Sequence, residues 1–505
     1  MSRLFKFVKL SQQNVSCQAM NLNLQSRKWN FINGTPVAPT GHESFYLFEP
    51  STGSILCQID ESSKSDVDAA VRAAQQAFKL WSRTSGLEKA EVLRNTGKLL
   101  RERSKELAVA ETVDAGKPIW ESKWDIQTAF DCFEYFAGLS PTISGQHIKL
   151  SGDNWAYTIR QPIGIVGAIG AWNYPIQIAA WKLAPALACG NTVVFKPSPL
   201  TPINTLTLAE ILKEAGVPDG AVNVVQGQAA TGQYMCEHPD VNKITFTGSV
   251  PVGKTISKIA SESLKRVTLE LGGKSPLIIF EDAVMKNAVN AALMGNFLSQ
   301  GQVCNNATRV FVQESIYDQF VDMICEGVEK INVGNPHDEQ TTMGALISEQ
   351  HLDKVLSYVD SAAREGAVVV GGKRMKIGEG YFMEPCVLLN CRDDMKAVRE
   401  EIFGPVMSVL KFCTEDEVLE RANATKFGLA GGVFTENLAR GHRVVAGLQG
   451  GVQWINNYNT FTVEVPFGGL KESGYGRENG LAAIEHFTEL KTVLVESGDV
   501  WTPFD

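Results

Sequence analysis

Spacings that would hold a metal are missing from this sequence. Its seven histidines are dispersed, with no HExxH and no His/Cys pair at ligand spacing, so no catalytic or structural transition metal is expected. The ten cysteines, among them Cys17, Cys57, Cys189, Cys304, Cys386 and Cys391, form neither CxxC pairs nor a regular close framework. They therefore read mostly as reduced, buried thiols. A basic surplus is missing as well: 47 Lys and Arg stand against 56 Asp and Glu, a formal net charge of −9, and no basic stripe stands out. That balance argues against a nucleic-acid partner, because a phosphate backbone needs a basic face. No apolar run reaches the roughly 18 to 20 residues that span a bilayer. Even PIGIVGAIGAWNYPIQIAAW is interrupted by prolines, glycines and Asn173, so no membrane partner is expected. Internal repeats and low-complexity linkers are absent too. Acidic residues do not occur before Glu43, while Arg3, Lys6, Lys9, Arg27 and Lys28 lie among Ser, Gln and Asn. Residues 1–28 thus read as an N-terminal extension, either a tail on a cytoplasmic protein or a mitochondrial targeting segment.

What is present is globular: 505 residues, 44% hydrophobic and 20% charged, enough for two or three domains with their own cores. Order is expected to begin near Trp29, where WNFINGTPV and SFYLFEPSTGSIL read as short strands punctuated by Gly and Pro. In SDVDAAVRAAQQAFKLW the residues Val67, Val71, Ala74, Phe78 and Trp81 recur at helical spacing, and Ser65 and Asp68 suit the helix N-terminus. From Ile163 apolar strand-like runs (IGIVGAIG, TVVFK, VNVV, KITFT, RVTLEL) alternate with helical segments such as NTLTLAEILKEAG, which indicates parallel βαβ units. A second alternating stretch runs from near Ser275 to about Phe467, with strands expected at RVFVQ, AVVVGG, CVLLN, PVMSVLKF and GGVFT. KTVLVES at the end looks like another strand, to which GDNWAYTIRQ or a partner subunit could pair.

Three segments carry chemistry: AWNYP at 171–175, LELGGKSP at 269–276 and FLSQGQVCNNATRV at 297–310. A free cysteine is usually a small buried hydrophobe. Around Cys304, however, GQVCNN supplies glycine and amides in place of an apolar stripe. Asn173 follows the IGIVGAIG strand at a junction where an amide could simply cap the next turn. Glu270 ends the apolar run RVTLEL and precedes Gly272 and Gly273, which allow a close approach. A carboxylate there is either a hydrogen-bonded structural group or a base whose pKa burial raises. No GxGxxG opens the βαβ region, so an ordinary dinucleotide fingerprint is absent.

These segments, with FTGSVPVGK, EEIFGPV and PFGGLKESGYGRE in the same order, resemble the aldehyde dehydrogenase superfamily from about Trp29 to the C-terminus. The resemblance implies an NAD(P)-dependent enzyme in which Cys304 is the nucleophile. It also implies that Asn173 and the Cys304 backbone N–H form the oxyanion hole, and that Glu270 activates the water that hydrolyses a thioester. Gly248, Ser249 and Gly253 match the helix N-terminus that receives a pyrophosphate, offering it backbone donors. Lys196 matches an adenosine-ribose contact, Glu401 and Phe403 match nicotinamide-ribose contacts, and Trp172 and Gly227 line the cleft. KPSPLTP, SQGQVC, NCRDDM and WINNYN resemble the branch that oxidises aminoaldehydes, close to betaine-aldehyde enzymes and including one that serves carnitine synthesis. Tyr174, Trp181, Trp454 and Phe467 match or flank its substrate tunnel, where aromatic faces could hold a quaternary ammonium. Two positions depart from the pattern. Pro199 replaces a glutamate that would repel a 2′-phosphate, which leaves NADP possible beside the NAD that the resemblance implies. Ala307 replaces a glycine and would crowd the nucleophile loop if that position needs positive φ.

The expected fold is α/β: a Rossmann-like cofactor domain (29–141 and 161–271), an α/β catalytic domain (272–484), and a small β oligomerisation arm (142–160 and 485–505). The resemblance implies a homodimer or homotetramer acting on a small-molecule aldehyde. Two alternatives are a CoA-acylating dehydrogenase, against which Glu270 speaks, and a non-catalytic dinucleotide-binding descendant, suggested only by Ala307.

Overall fold

The computed structural model describes residues 24–504. Regular structure is already present at Leu24, five residues before the expected start. A 3₁₀ turn spans Leu24–Ser26 with Leu24 buried, and the Arg27 side chain donates to Thr207 Oγ1 (2.9 Å) and pairs with Glu210 (3.2 Å). The expected extension 1–28 otherwise lies outside the described residues.

Two sheets organise the chain. Five parallel strands form the centre of the first, in the spatial order Val222–Val224, Thr192–Lys196, Ile165–Ile169, Lys243–Thr247, Arg266–Glu270. The Asn30–Ile32 and Thr35–Val37 hairpin extends one edge, and the antiparallel Gly474–Tyr475 strand closes the other. The chain builds outward from Ile165–Ile169 in one direction and then returns to lay Lys243–Thr247 on its other side. This reversal opens a crevice at the carboxyl ends of the two strands, where such sheets bind ligands.

The second sheet has seven strands, parallel except for Val368–Gly371, in the order Val368–Gly371, Cys386–Leu389, Val406–Phe412, Arg309–Gln313, Pro276–Ile279, Ala430–Phe434, Val452–Ile455. Only residues 271–275 separate the end of Arg266–Glu270 from Pro276–Ile279, so the carboxyl end of one sheet leads directly into the other. A separate three-stranded antiparallel sheet joins His147–Lys149, Trp155–Pro162 and Thr488–Val495, with Trp155 opposite Val495 and Pro162 opposite Thr488. Within this chain, GDNWAYTIRQ therefore pairs with the terminal strand.

Differences from the expected elements are local. The Lys64–Trp81 helix starts two residues early, because Ser63 and Asp66 form a reciprocal capping box in place of Ser65 and Asp68. The four-residue strands Pro276–Ile279 and Val452–Ile455 lie in unmarked sequence, too short to display a period.

Candidate active site

Several expected site residues come from different loops at the carboxyl ends of the first sheet's strands, whereas Cys304 follows the Leu298–Gly301 turn and Glu401 and Phe403 precede the strand Val406–Phe412. Trp172 and Asn173 follow Ile165–Ile169, Lys196 ends Thr192–Lys196, Gly248 and Ser249 follow Lys243–Thr247, and Glu270 ends its own strand. Around them opens a cavity of about 1400 Å³ whose wall includes Cys304, Asn173 and Glu270 together.

The Cys304 loop is held in an unusual backbone. Ser299, Gln300 and Gly301 all have positive φ (51°, 57° and 71°), a conformation that persists only when its surroundings enforce it. Ser299 N–H donates to Glu121 (3.2 Å), and the Gln300 side chain donates to the Ala345 carbonyl and accepts from Gly344 N–H (3.0 and 3.1 Å). Gln302 accepts from Ile347 N–H at 3.0 Å. Asn173 Nδ2 donates to the Gln302 carbonyl at 2.9 Å and leaves its second N–H uncommitted to that bond. Asn173 is therefore not a helix cap: the following helix, Pro175–Ala188, begins without a side-chain cap. Cys304 is partly buried as a residue, and burial of its thiol together with the Glu270 and Glu401 carboxylates pushes its pKa up to about 12. Gly272 and Gly273 make the close approach possible. A Cβ on Gly272 would lie 2.1 Å from Glu401 Oε2, and one on Gly273 2.6 Å from the Cys304 carbonyl. Ala307 has ordinary φ and donates its N–H to Gly295 (2.8 Å), so its methyl does not strain the loop.

Glu270 is buried with no hydrogen-bond partner on either carboxylate oxygen. Its pKa is raised well above the ordinary range, first by burial and then by Glu478, with Lys182 and Arg477 opposing. Glu478 also lines the cavity and pairs with Lys182, which is fully buried, while the Thr245 hydroxyl lies 3.3 Å from each. Neither residue was expected from the sequence. The available signal was a lysine inside the otherwise apolar helix PIQIAAWKLAPALA.

On one side the cavity runs to the Val250–Ser261 helix, which opens at Ser249 without a side-chain cap. Its donors are not those expected. Gly248 N–H is used on the Glu270 carbonyl and Gly253 N–H on the Ser249 carbonyl (both 3.0 Å). Gly253 serves packing instead, since a Cβ there would lie 2.7 Å from Leu271 Cδ2. The donors left at this helix end are therefore those of Ser249 and the uncapped first turn at Val250 and Val252, which could receive an anion. Gly227 does not line the cavity; its carbonyl accepts from Lys196 Nζ (2.7 Å), as does that of Pro197 (2.9 Å). One of the three lysine N–H groups remains for a ligand. Burial lowers the Lys196 pKa to about 8. Thr247 Oγ1 is buried on this wall without a partner. Glu401 accepts from Gly273 N–H (3.1 Å), and burial raises it to about 7. Phe403 meets the Trp172 ring edge-on at 5.2 Å, and Pro199 lies on the same wall. An uncapped helix end, a spare lysine donor and an orphaned hydroxyl suit a long polar anion such as a dinucleotide.

The other side is aromatic with an acidic mouth. Trp181 packs against Phe461 and Phe467 (5.7 and 5.3 Å between centroids), and its indole N–H has no partner. Tyr174 donates its hydroxyl to Glu121 (3.2 Å), and Lys117 sits 3.8 Å over its ring while pairing with Asp125 at 2.5 Å. Asp131, Glu134 and Glu464 join the wall. Trp454 is not part of this tunnel. It lies in a strand of the second sheet, donates to the Thr460 carbonyl (2.9 Å), and so supports the 460–464 segment that does line it. Among the described residues no group of His, Cys, Asp and Glu could hold a metal ion, and no helix is long and apolar enough to cross a membrane.

The model of the aldehyde dehydrogenase family matches residues 37–493. The chain is 55% identical over 482 residues to 4-trimethylaminobutyraldehyde dehydrogenase A of Danio rerio, covering 94% of this chain and 95% of that one. It is 54% identical to the Homo sapiens 4-trimethylaminobutyraldehyde dehydrogenase, covering 95% and 98%. Among solved structures, betaine aldehyde dehydrogenase from Staphylococcus aureus in complex with NAD+ superposes with a TM-score of 0.93 at 37% identity, covering 97% of this chain and 99% of that one.

Proposed function

The chain belongs to the aldehyde dehydrogenase family, and on that premise we propose that it uses NAD to oxidise 4-trimethylaminobutyraldehyde, or a related ω-aminoaldehyde, through a thioester on Cys304. The observation that carries this reading is the single cavity that collects Cys304, Asn173 and Glu270 between an uncapped helix N-terminus and an aromatic tunnel.

Cys304 Sγ releases its proton to solvent and adds as the thiolate to the aldehyde carbon, since the thiolate is the nucleophile. Negative charge then develops on the aldehyde oxygen, where the free Asn173 N–H and the Cys304 backbone N–H stabilise it. Bound NAD supplies the hydride acceptor for this adduct, leaving the acyl group on sulfur. Glu270, kept hungry for protons by burial and by Glu478, takes one from the water that attacks the thioester. The acid leaves and the thiol is restored. Ser249 and the first turn of its helix would hold the pyrophosphate, Lys196 and Glu401 the two riboses, and Trp172 and Phe403 the nicotinamide end. Pro199, which cannot repel a 2′-phosphate, leaves NADP possible.

The substrate reading rests on the relatives' names together with the tunnel's chemistry. Tyr174, Trp181 and Phe467 offer ring faces, and Asp131, Glu134 and Glu464 give the mouth a negative potential suited to a cation. Such a substrate would give the enzyme a role in carnitine synthesis. Glu270 on the cavity wall favours water over a CoA thiol as acyl acceptor. The ordinary backbone at Ala307 removes the argument for a non-catalytic descendant.

The same reading takes 29–141 with 161–271 as the cofactor domain, 272–484 as the catalytic domain, and 142–160 with 485–505 as an arm for a second copy. Exposed Ile148, Ile159, Leu490 and Leu494 on that arm's sheet support a homodimer or homotetramer. Residence is assigned to the cytoplasm, with the basic N-terminal segment as the argument for the mitochondrial matrix. A steady-state panel of aldehydes against NAD and NADP tests the function. Turnover confined to neutral aldehydes would overturn the substrate, and a lower KM for NADP at equal kcat would overturn the cofactor.

A further inference from the structure

On the cavity wall that carries Glu401, three rings meet edge to face: Trp172 lies 5.3 Å from His351 and 5.2 Å from Phe403, and His351 lies 6.2 Å from Phe403. His351 was not among the expected site residues. It occupies the first turn of the Glu349–Arg364 helix, where its backbone N–H donates to the N-cap Ser348 hydroxyl (3.2 Å). Its ring Nε2 is 2.7 Å from the Phe403 carbonyl. A carbonyl oxygen can only accept, so Nε2 carries the proton. Burial pushes the imidazole pKa down to about 4, so the ring is neutral at working pH.

The residue it holds is in a costly conformation. Phe403 has φ of 62°, a left-handed backbone that bulky residues rarely adopt. The next residue, Gly404, is pressed against the same helix: a Cβ there would lie 2.6 Å from Val355 Cγ2. Two residues before Phe403, Glu401 turns back to accept from Gly273 N–H. The neighbour of Trp172 is Asn173, which is bonded to the nucleophile loop. The segment 401–404 therefore reaches both the ribose carboxylate and the oxyanion donor. His351 is the side chain that clasps its left-handed residue.

We propose that His351 is a positioning residue for the dinucleotide, its Nε2–H fixing the Phe403 carbonyl and so holding Glu401 and the Trp172 ring at the ribose end of the cleft. This rests on the reading that Glu401 and Phe403 face that ribose. His351 acts here through its bond to the Phe403 carbonyl, so its effect passes through the backbone of 401–403.

The test is the dissociation constant for NAD, measured by calorimetry without aldehyde, in wild type, His351→Leu and His351→Gln. Leu removes the donor, whereas Gln supplies an amide N–H of similar reach. His351→Leu is expected to weaken NAD binding about tenfold, the size of one lost hydrogen bond, and His351→Gln to recover most of it. Alkylation of Cys304 by iodoacetamide in the absence of NAD should proceed at the wild-type rate in both variants. A wild-type dissociation constant in His351→Leu overturns the proposal, as does a His351→Gln as weak as His351→Leu. Equal damage to cofactor-free alkylation would make His351 a general support of the fold and overturn it too. If wild type itself does not bind NAD, the cofactor reading fails beneath it.

Discussion

Asn173 donates one amide hydrogen to the carbonyl of Gln302, 2.9 Å away and two residues before Cys304, the proposed nucleophile. The bond ties the loop after one sheet to the thiol loop of the other and orients the second amide hydrogen. Asn173→Ala should therefore lower kcat for aldehyde oxidation by about 10²–10³, the usual loss of an oxyanion donor, with NAD affinity retained. Steady-state kinetics alongside calorimetry checks both. A KM effect with unchanged kcat would show that Asn173 only shapes the loop.

The thiol's environment sets a pH dependence. Burial with the Glu270 and Glu401 carboxylates favours the neutral thiol, with a pKa of about 12, and burial with Glu478 raises Glu270 above the ordinary carboxyl range. Both groups must lose protons to act, so raised values move activity toward alkaline pH. Alkylation of Cys304 in the cofactor-free enzyme should keep rising with pH beyond the range of an ordinary thiol, about 8.5. A plateau at or below that value contradicts the environment described.

Glu270→Gln keeps the shape of the side chain but cannot accept a proton from water. Rapid mixing should reveal a burst of reduced cofactor followed by slow turnover, because hydride transfer precedes the step that needs the base. Loss of the burst would assign Glu270 to thiol activation instead.

A cation held against desolvated ring faces gains about 2 kcal/mol, which at 1.4 kcal/mol per decade is roughly 30-fold in kcat/KM over a neutral aldehyde of similar length. Trp181→Leu should cost the cationic substrate more than the neutral one. Equal losses would mean that Trp181 only walls the tunnel.

How far these residues could be read beforehand follows from how they are arranged in the chain. Cys304, Glu270 and Asn173 stand in short, distinctive contexts; Glu270 ends a strand and Asn173 follows one, while Cys304 follows the Leu298–Gly301 turn, so motif and fold pointed to one place. The strands Ile165–Ile169, Thr192–Lys196 and Lys243–Thr247 were legible as apolar runs of β-branched residues. The Lys182–Glu478 pair was not, because its partners are 296 residues apart and only the fold brings them together. Trp454 was misplaced because an aromatic residue near the tunnel segment gives no sign of which face of its strand it occupies. Gly248 and Gly253 were read as donors to a ligand, whereas their N–H groups complete a strand contact and a helical turn. Backbone bonds of that kind cannot be read from residue type.

The most direct test of the central claim, a thioester on Cys304, is reduced-cofactor formation by Cys304→Ala with 4-trimethylaminobutyraldehyde at saturating NAD, with NAD binding verified by calorimetry. The account predicts no burst and no turnover above the buffer rate, with dinucleotide affinity unchanged, because the thiol makes the bond to substrate and does not hold the cofactor. Substantial turnover in that variant would contradict it.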